Sequence, residues 1–248
     1  MPGMIRAGTV RPEEDALLGR PRQAAFLTAA VVAVTAAVFA LVADHGVLAR
    51  MQRVDDAWLR LMISGRAAPL TAIAKVLNVL GLVYVTLPVR IALAGFLALR
   101  RRWWHLAAFA AAIVLSEVLI GSLKGSYDRA RPPGSLVATS GASFPSGHAI
   151  AASVTVVAAV IALVPADRRR IGWGAAATAF SVVMGLSRAY LGAHWLSDAT
   201  AGILLGTSCA LVTALVTDQF QRRRNRGPQP RRALRPAGAR PPRHVRSG

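Results

Sequence analysis

Residues 103–132 read WWHLAAFAAAIVLSEVLIGSLKGSYDRARP, and this stretch decides the class of fold. Over residues 103–123 the only formal charge is Glu117, and about 20 such residues in a helix cross the ~30 Å of hydrocarbon in a bilayer. At Lys124 the character changes to a polar run ending in Arg131 and Pro132. A span therefore delivers cations to one membrane surface.

The whole chain shares this composition. Its 248 residues are 54% hydrophobic and 17% charged, with a mean hydropathy of +0.45, outside the range of soluble globular proteins. Six apolar segments of span length appear, at 24–43, 80–99, 103–123, 147–164, 171–189 and 195–217. The expected fold is an all-α polytopic membrane protein of six transmembrane helices. Segment 24–43 reads as a retained anchor, because Leu41 stands where a signal-peptide cleavage site requires a small residue.

The net charge of +19 first suggests a nucleic-acid binder, but its placement argues otherwise. Arginines crowd residues 1–23, the turns 100–102 and 168–170, and the region after Thr217, which holds ten Arg against one Asp. In a six-span chain all of these fall on one side, which the positive-inside rule makes cytoplasmic. Both termini are then cytoplasmic in a multi-pass cell membrane protein. Residues 44–79, 124–146 and 190–194 face outward. Within the outer segment, 54–63 alternates apolar Val54, Trp58, Leu61 and Met62 with Asp55, Asp56 and Arg60, the pattern of a helix lying on the surface or packed on the bundle. The expected organisation is a cytoplasmic segment 1–23, a membrane domain 24–217 whose motif-bearing core is 124–198, and a disordered Arg/Pro-rich tail 218–248. That polybasic tail is suited to anionic lipid, and nothing else supports a nucleic-acid partner.

Three polar clusters gather at the outer ends of spans three to six. They are Lys124 with Arg131, then Pro145 to His148, and then Ser187, Arg188, His194 and Asp198. Lys124, Arg131 and Arg188 supply cations suited to a tetrahedral anion, and Arg can engage two of its oxygens at once. Ser146 and Gly147 open a helix, whose free N–H groups and positive dipole end favour the same ligand. His194 and Asp198 are four apart, so on a helix Asp198 can accept a hydrogen bond from one ring nitrogen and leave the other as a nucleophile. His148 is placed to protonate a leaving oxygen and then activate water. These cations can neutralise the charge of a transferred phosphoryl group, so no metal or other cofactor is expected.

The sequence resembles the type 2 phosphatidic acid phosphatase family, the lipid phosphate phosphatases, over roughly residues 50 to 217. Its motifs KxxxxxxRP, PSGH and SRxxxxxHxxxD appear here as KGSYDRARP (124–132), PSGH (145–148) and SRAYLGAHWLSD (187–198). The resemblance implies His194 as a nucleophile forming a phosphohistidine, Asp198 as its orienting carboxylate and His148 as acid and then base. It implies Lys124, Arg131, Ser146, Gly147 and Arg188 as phosphate ligands, with Ser187 shaping the loop. The implied activity is removal of a terminal phosphate from a lipid phosphate or diphosphate at the outer surface, with undecaprenyl diphosphate favoured and phosphatidylglycerophosphate or phosphatidic acid as alternatives. The family also contains vanadium haloperoxidases, and a non-catalytic lipid-phosphate binder or translocator is the remaining reading.

Arg90 and Glu117 lie inside spans two and three, where unpaired charge is costly, so they are expected to pair beneath the site. Gly202 and Gly206 form a GxxxG spacing expected to pack helices within the bundle. Cys209, the one cysteine, excludes an intramolecular disulfide and reads as a small apolar side chain. His45, His105 and His244 match no motif, and the sequence leaves the oligomeric state open.

Overall fold

The computed structural model describes residues 17–225, and over them the chain forms eight α-helices and no strand. They are α1 (Pro21–Ala43), α2 (His45–Ser64), α3 (Ala68–Leu80), α4 (Val83–Leu99), α5 (Trp103–Tyr127), α6 (Gly147–Leu163), α7 (Arg168–Tyr190) and α8 (Leu196–Asn225). Each of the six apolar segments thus coincides with most of one helix. By length and composition α1, α5 and α8 can cross a membrane unaided, and α3 with α4 makes a fourth candidate across a 54° bend. α6 is apolar but only 17 residues long, about 26 Å at 1.5 Å per residue.

Local chemistry sets the helix boundaries. Pro21 opens α1, where its missing N–H costs nothing. Asp44 caps α2 by accepting from the N–H of Val47 at 2.9 Å, and Asp167 caps α7 through the N–H of Arg169 at 2.8 Å. The left-handed conformation of Asp128, with φ of 32°, ends α5.

α6 sits at the centre, packed against α5, α7 and α8, and buries Ile150, Val154, Ala158 and Ala162 in the main core. The close pairing of α6 with α8 depends on the GxxxG glycines. A Cβ on Gly206 would lie 2.1 Å from Ser153 Oγ and 2.6 Å from the Ile150 carbonyl oxygen, and one on Gly202 would lie 2.7 Å from the Ser146 carbonyl oxygen. Thr35 and Ser208 join α1 to α8 through their hydroxyls at 2.8 Å. The expected ion pair is present, with Arg90 Nη1 at 2.7 Å from Glu117 Oε1. Arg90 also donates to Thr155 Oγ1 at 3.0 Å, which ties α4 and α5 to α6.

Three sequence expectations need correction. The segment 44–79, in which a helix was expected over 54–63 alone, is largely helical, because α2 extends beyond that amphipathic stretch on both sides and the short apolar run of α3 folds as a helix of its own. The second span is not continuous from residue 80, since the chain breaks at Gly81 and Leu82 before α4 begins. The tail does not start at 218. α8 continues to Asn225 because Asp218 is buried and accepts from the N–H of Leu18 at 3.3 Å and from Arg222 Nε at 2.6 Å. Arg222 in turn donates to the Leu18 carbonyl at 2.7 Å, fastening the segment before α1 to the C-terminal part of α8. The rest of the Arg/Pro-rich tail, like residues 1–16, lies outside the described residues.

Candidate active site

The loop between α5 and α6 and the turn between α7 and α8 bring the three motifs together. His194 lies in that turn and is 3% exposed. Its Nδ1 donates to the Ser143 carbonyl oxygen at 2.7 Å, which fixes the tautomer and leaves Nε2 with a lone pair. Arg131 Nη1 approaches that Nε2 at 3.2 Å. Burial holds His194 below the ordinary histidine range; Asp198 opposes this, and Arg131 and Arg188 reinforce it.

Asp198 does not hold His194 directly, as the spacing of four had suggested. Its Oδ2 is 3.7 Å from Nδ1, because that oxygen is already engaged by Ser143 Oγ at 2.5 Å and by the N–H of Trp195 at 3.0 Å. Ser143 therefore bridges the two, its carbonyl holding the imidazole and its hydroxyl holding the carboxylate. The second oxygen of Asp198 accepts from Arg129 Nη1 at 2.6 Å.

His148 occupies the first turn of α6, where the charges of Arg188 and Lys124 and the ring of His194 all bear on it. The Asn78 carbonyl approaches the ring, while Nε2 is buried without a partner in the protein. Arg188 is buried and donates from Nη1 to Asn78 Oδ1, while its Nε is also partnerless. The Ser146 hydroxyl is a third buried polar group without a partner. Buried polar groups are nearly always satisfied, so three such atoms on motif residues around one helix start mark a place for a ligand. Gly147 faces open space, where a side chain would meet nothing within 4 Å.

Lys124 and Arg131 complete the cationic wall but spend their donors on the connecting loop. Lys124 Nζ donates to the Ala142 carbonyl at 3.1 Å. Arg131 donates to the carbonyls of Ser140, Gly141, Ala142 and Ala193 at 2.7 to 3.1 Å. Ser187 turns its hydroxyl to the Met184 carbonyl at 2.7 Å, which suits a role within the helix.

Sequence reasoning missed Asn78, Gly81, Ser143, Arg129 and Asp55. Asn78 lies in the last turn of α3, in the segment expected only to face outward, and Gly81 follows that helix, inside the segment expected to be one continuous span. A glycine inside an apolar run was the one signal at Gly81, and a carboxylate three residues from Gln52 was the signal at Asp55.

The profile described as the PAP2 superfamily matches residues 103–222, which include all three motifs. A transmembrane PAP2-type phosphatidylglycerolphosphate phosphatase from Bacillus subtilis is similar in structure, with a TM-score of 0.62 and 24% identity over 81% of this chain and 98% of that one. LpxE of Aquifex aeolicus is similar with a TM-score of 0.53 and 26% identity, over 62% of this chain and 91% of that one. No curated protein matches the sequence significantly.

Proposed function

As a member of the PAP2 superfamily, the chain is, we propose, an integral-membrane lipid phosphatase that removes a terminal phosphate by way of a phosphohistidine on His194. The observation that carries this reading is the set of buried, partnerless polar atoms at Ser146 Oγ, His148 Nε2 and Arg188 Nε. In the proposed reaction each of the three meets an oxygen of the phosphate or of the leaving group.

The substrate phosphate enters with its oxygens on Arg188, the hydroxyl of Ser146 and the N–H groups at Gly147, and Lys124 and Arg131 exchange loop carbonyls for its remaining oxygens. His194 Nε2 attacks phosphorus in line with the bond to the lipid-bearing oxygen. As that P–O bond breaks, the leaving oxygen takes from His148 a proton that the negative charge of the bound phosphate has brought onto the ring. Asp198, with Ser143 between them, offsets the positive charge that develops on the His194 ring. Water then attacks the phosphohistidine, His148 accepts its proton, and the P–N bond breaks with its electron pair returning to Nε2. The cations of the pocket supply the electrostatic stabilisation, so the proposed chemistry needs no metal.

A substrate whose tail stays in the bilayer suits a pocket built from helix ends. We favour undecaprenyl diphosphate, with phosphatidylglycerophosphate and phosphatidic acid as the other members of the class. The same reading has six crossings, in which α6 and α7 join the more plainly spanning helices. It places both termini in the cytoplasm and the site outside, as the arginine-rich turns at 100–102 and 168–170 require.

Purified protein in detergent with EDTA, given these three lipids, should release phosphate, and His194→Ala should lower the rate by about a thousandfold or more. Undiminished activity of that variant would remove the proposed nucleophile. Strict metal dependence would remove the mechanism, and vanadate-dependent halide oxidation would move the chain to another chemistry.

A further inference from the structure

Behind Asp198 lies a buried charge network whose other members, Arg129, Asp55, Gln52 and Ser197, occupy no fixed position of the three motifs. The Arg129 guanidinium bridges two carboxylates, with Nη1 at 2.6 Å from Asp198 Oδ1 and Nη2 at 2.8 Å from Asp55 Oδ2. All three side chains are at most 7% exposed. Gln52 Oε1 accepts from Arg129 Nη2 at 2.7 Å, and Ser197 Oγ accepts from Nη1 at 2.7 Å. Ser197 also donates to Asp55, from its N–H at 2.9 Å and from its hydroxyl at 2.6 Å. The guanidinium carbon also stands 5.6 Å from the centre of the Trp195 ring.

We propose that Arg129 and Asp55 are positioning residues for catalysis, acting through Asp198 to set its orientation and the net negative charge presented to His194. The proposal rests on the phosphatase reading only for its kinetic consequences. Arg129 holds one oxygen of Asp198 and so directs the other toward Ser143 and the imidazole. Alone, Arg129 would cancel the charge of Asp198. Asp55 offsets Arg129, so the trio retains one net negative charge beside a ring that becomes positive when its nitrogen bonds phosphorus. Asp55 comes from α2, and this contact makes that outer helix part of the catalytic apparatus.

The trio makes opposed predictions for its two outer members. The groups bearing on His194 are Asp198 on α8, Arg131 in the α5–α6 loop, Arg188 on α7 and His148 on α6. With these unchanged, Asp55→Asn removes negative charge and should lower the His194 pKa. Arg129→Gln removes positive charge and should raise it. The double variant should return toward the parent value, and Arg129→Lys, which keeps the charge but not the bridge, should stay near it. Nitrogen-15 histidine spectra of the labelled protein in detergent, with the His194 signals identified by their loss in His194→Ala, read these shifts directly. In parallel, Asp55→Asn and Arg129→Lys should lower kcat on the order of tenfold or more with little change in KM.

If Arg129→Gln does not fold, Asp55→Asn and Arg129→Lys still decide the matter. His194 shifts of the same sign in Asp55→Asn and Arg129→Gln, or none in Asp55→Asn, overturn the proposal. So do variants that melt earlier yet keep the parent kcat and His194 titration. Failure of the parent protein to hydrolyse any lipid phosphate would defeat the phosphatase reading instead, and the titrations would still decide the charge network.

Discussion

Gly81 lies directly against His148, and a Cβ built there would fall 2.3 Å from Cδ2 of the ring. The glycine stands at the break between α3 and α4, so the kink and the seat of the histidine are the same feature. Gly81→Ala must therefore push the imidazole away from its place in the first turn of α6. An error of about 1 Å in a reacting group can cost on the order of a hundredfold. We expect a kcat loss of that order with KM and melting temperature little changed, and parent-like turnover by Gly81→Ala would show that His148 needs no such seat.

The long apolar helices were legible because each buries or exposes a continuous apolar surface that composition alone reveals. α3 was not, because thirteen residues are too few for a span and its run merges into the polar segment before it. The residues proposed to bear chemistry stand in three local motifs that the sequence displays directly. Their supports are not displayed in this way, since Asn78 meets Arg188 and Asp55 meets Arg129 across 110 and 74 positions of sequence. No local spacing encodes such contacts. Residues 218–225 misled for a related reason: the arginines there suggest a solvated tail, whereas the single Asp218 anchors the segment to Leu18.

The α6–α8 seam predicts a stability effect separate from chemistry. A methyl group on Gly206 meets the Ile150 carbonyl oxygen and the Val154 nitrogen at 2.6 and 2.9 Å, both backbone atoms that cannot rotate aside. Gly206→Ala should force the helices apart and destabilise the protein by about 1–3 kcal/mol, the usual cost of overpacking. Thermal melting in detergent measures this, and an unchanged melting temperature would mean that the seam is looser than these distances state.

The Arg90–Glu117 pair predicts coupling between two side chains that belong to different helices. Arg90 is buried and Glu117 half-exposed, so removing either partner leaves the other with an uncompensated group at depth. A double-mutant cycle of Arg90→Gln and Glu117→Gln should show losses of stability that fail to add by about 0.5 kcal/mol or more. Strict additivity would show that the two contribute independently despite their 2.7 Å separation.

His194 predicts the acid side of both activity and stability. Burial depresses its pKa, so the folded protein resists protonating it, while the unfolded chain binds a proton near the ordinary value of about 6.5. Between the depressed value and about 6.5 the unfolded state therefore holds more protons. This histidine's contribution makes stability fall as pH drops below about 6.5 and level off beneath the folded pKa. Because the proposed nucleophile is the neutral ring, its protonation should limit kcat/KM only at the depressed value, below about 6.5. Arg131→Gln takes away a cation that helps to depress this pKa, so the His194 titration should move upward in that variant. A histidine titration of the parent protein centred at or above 6.5 would contradict the whole chain of reasoning, since it would mean that the buried ring is charged where it must attack.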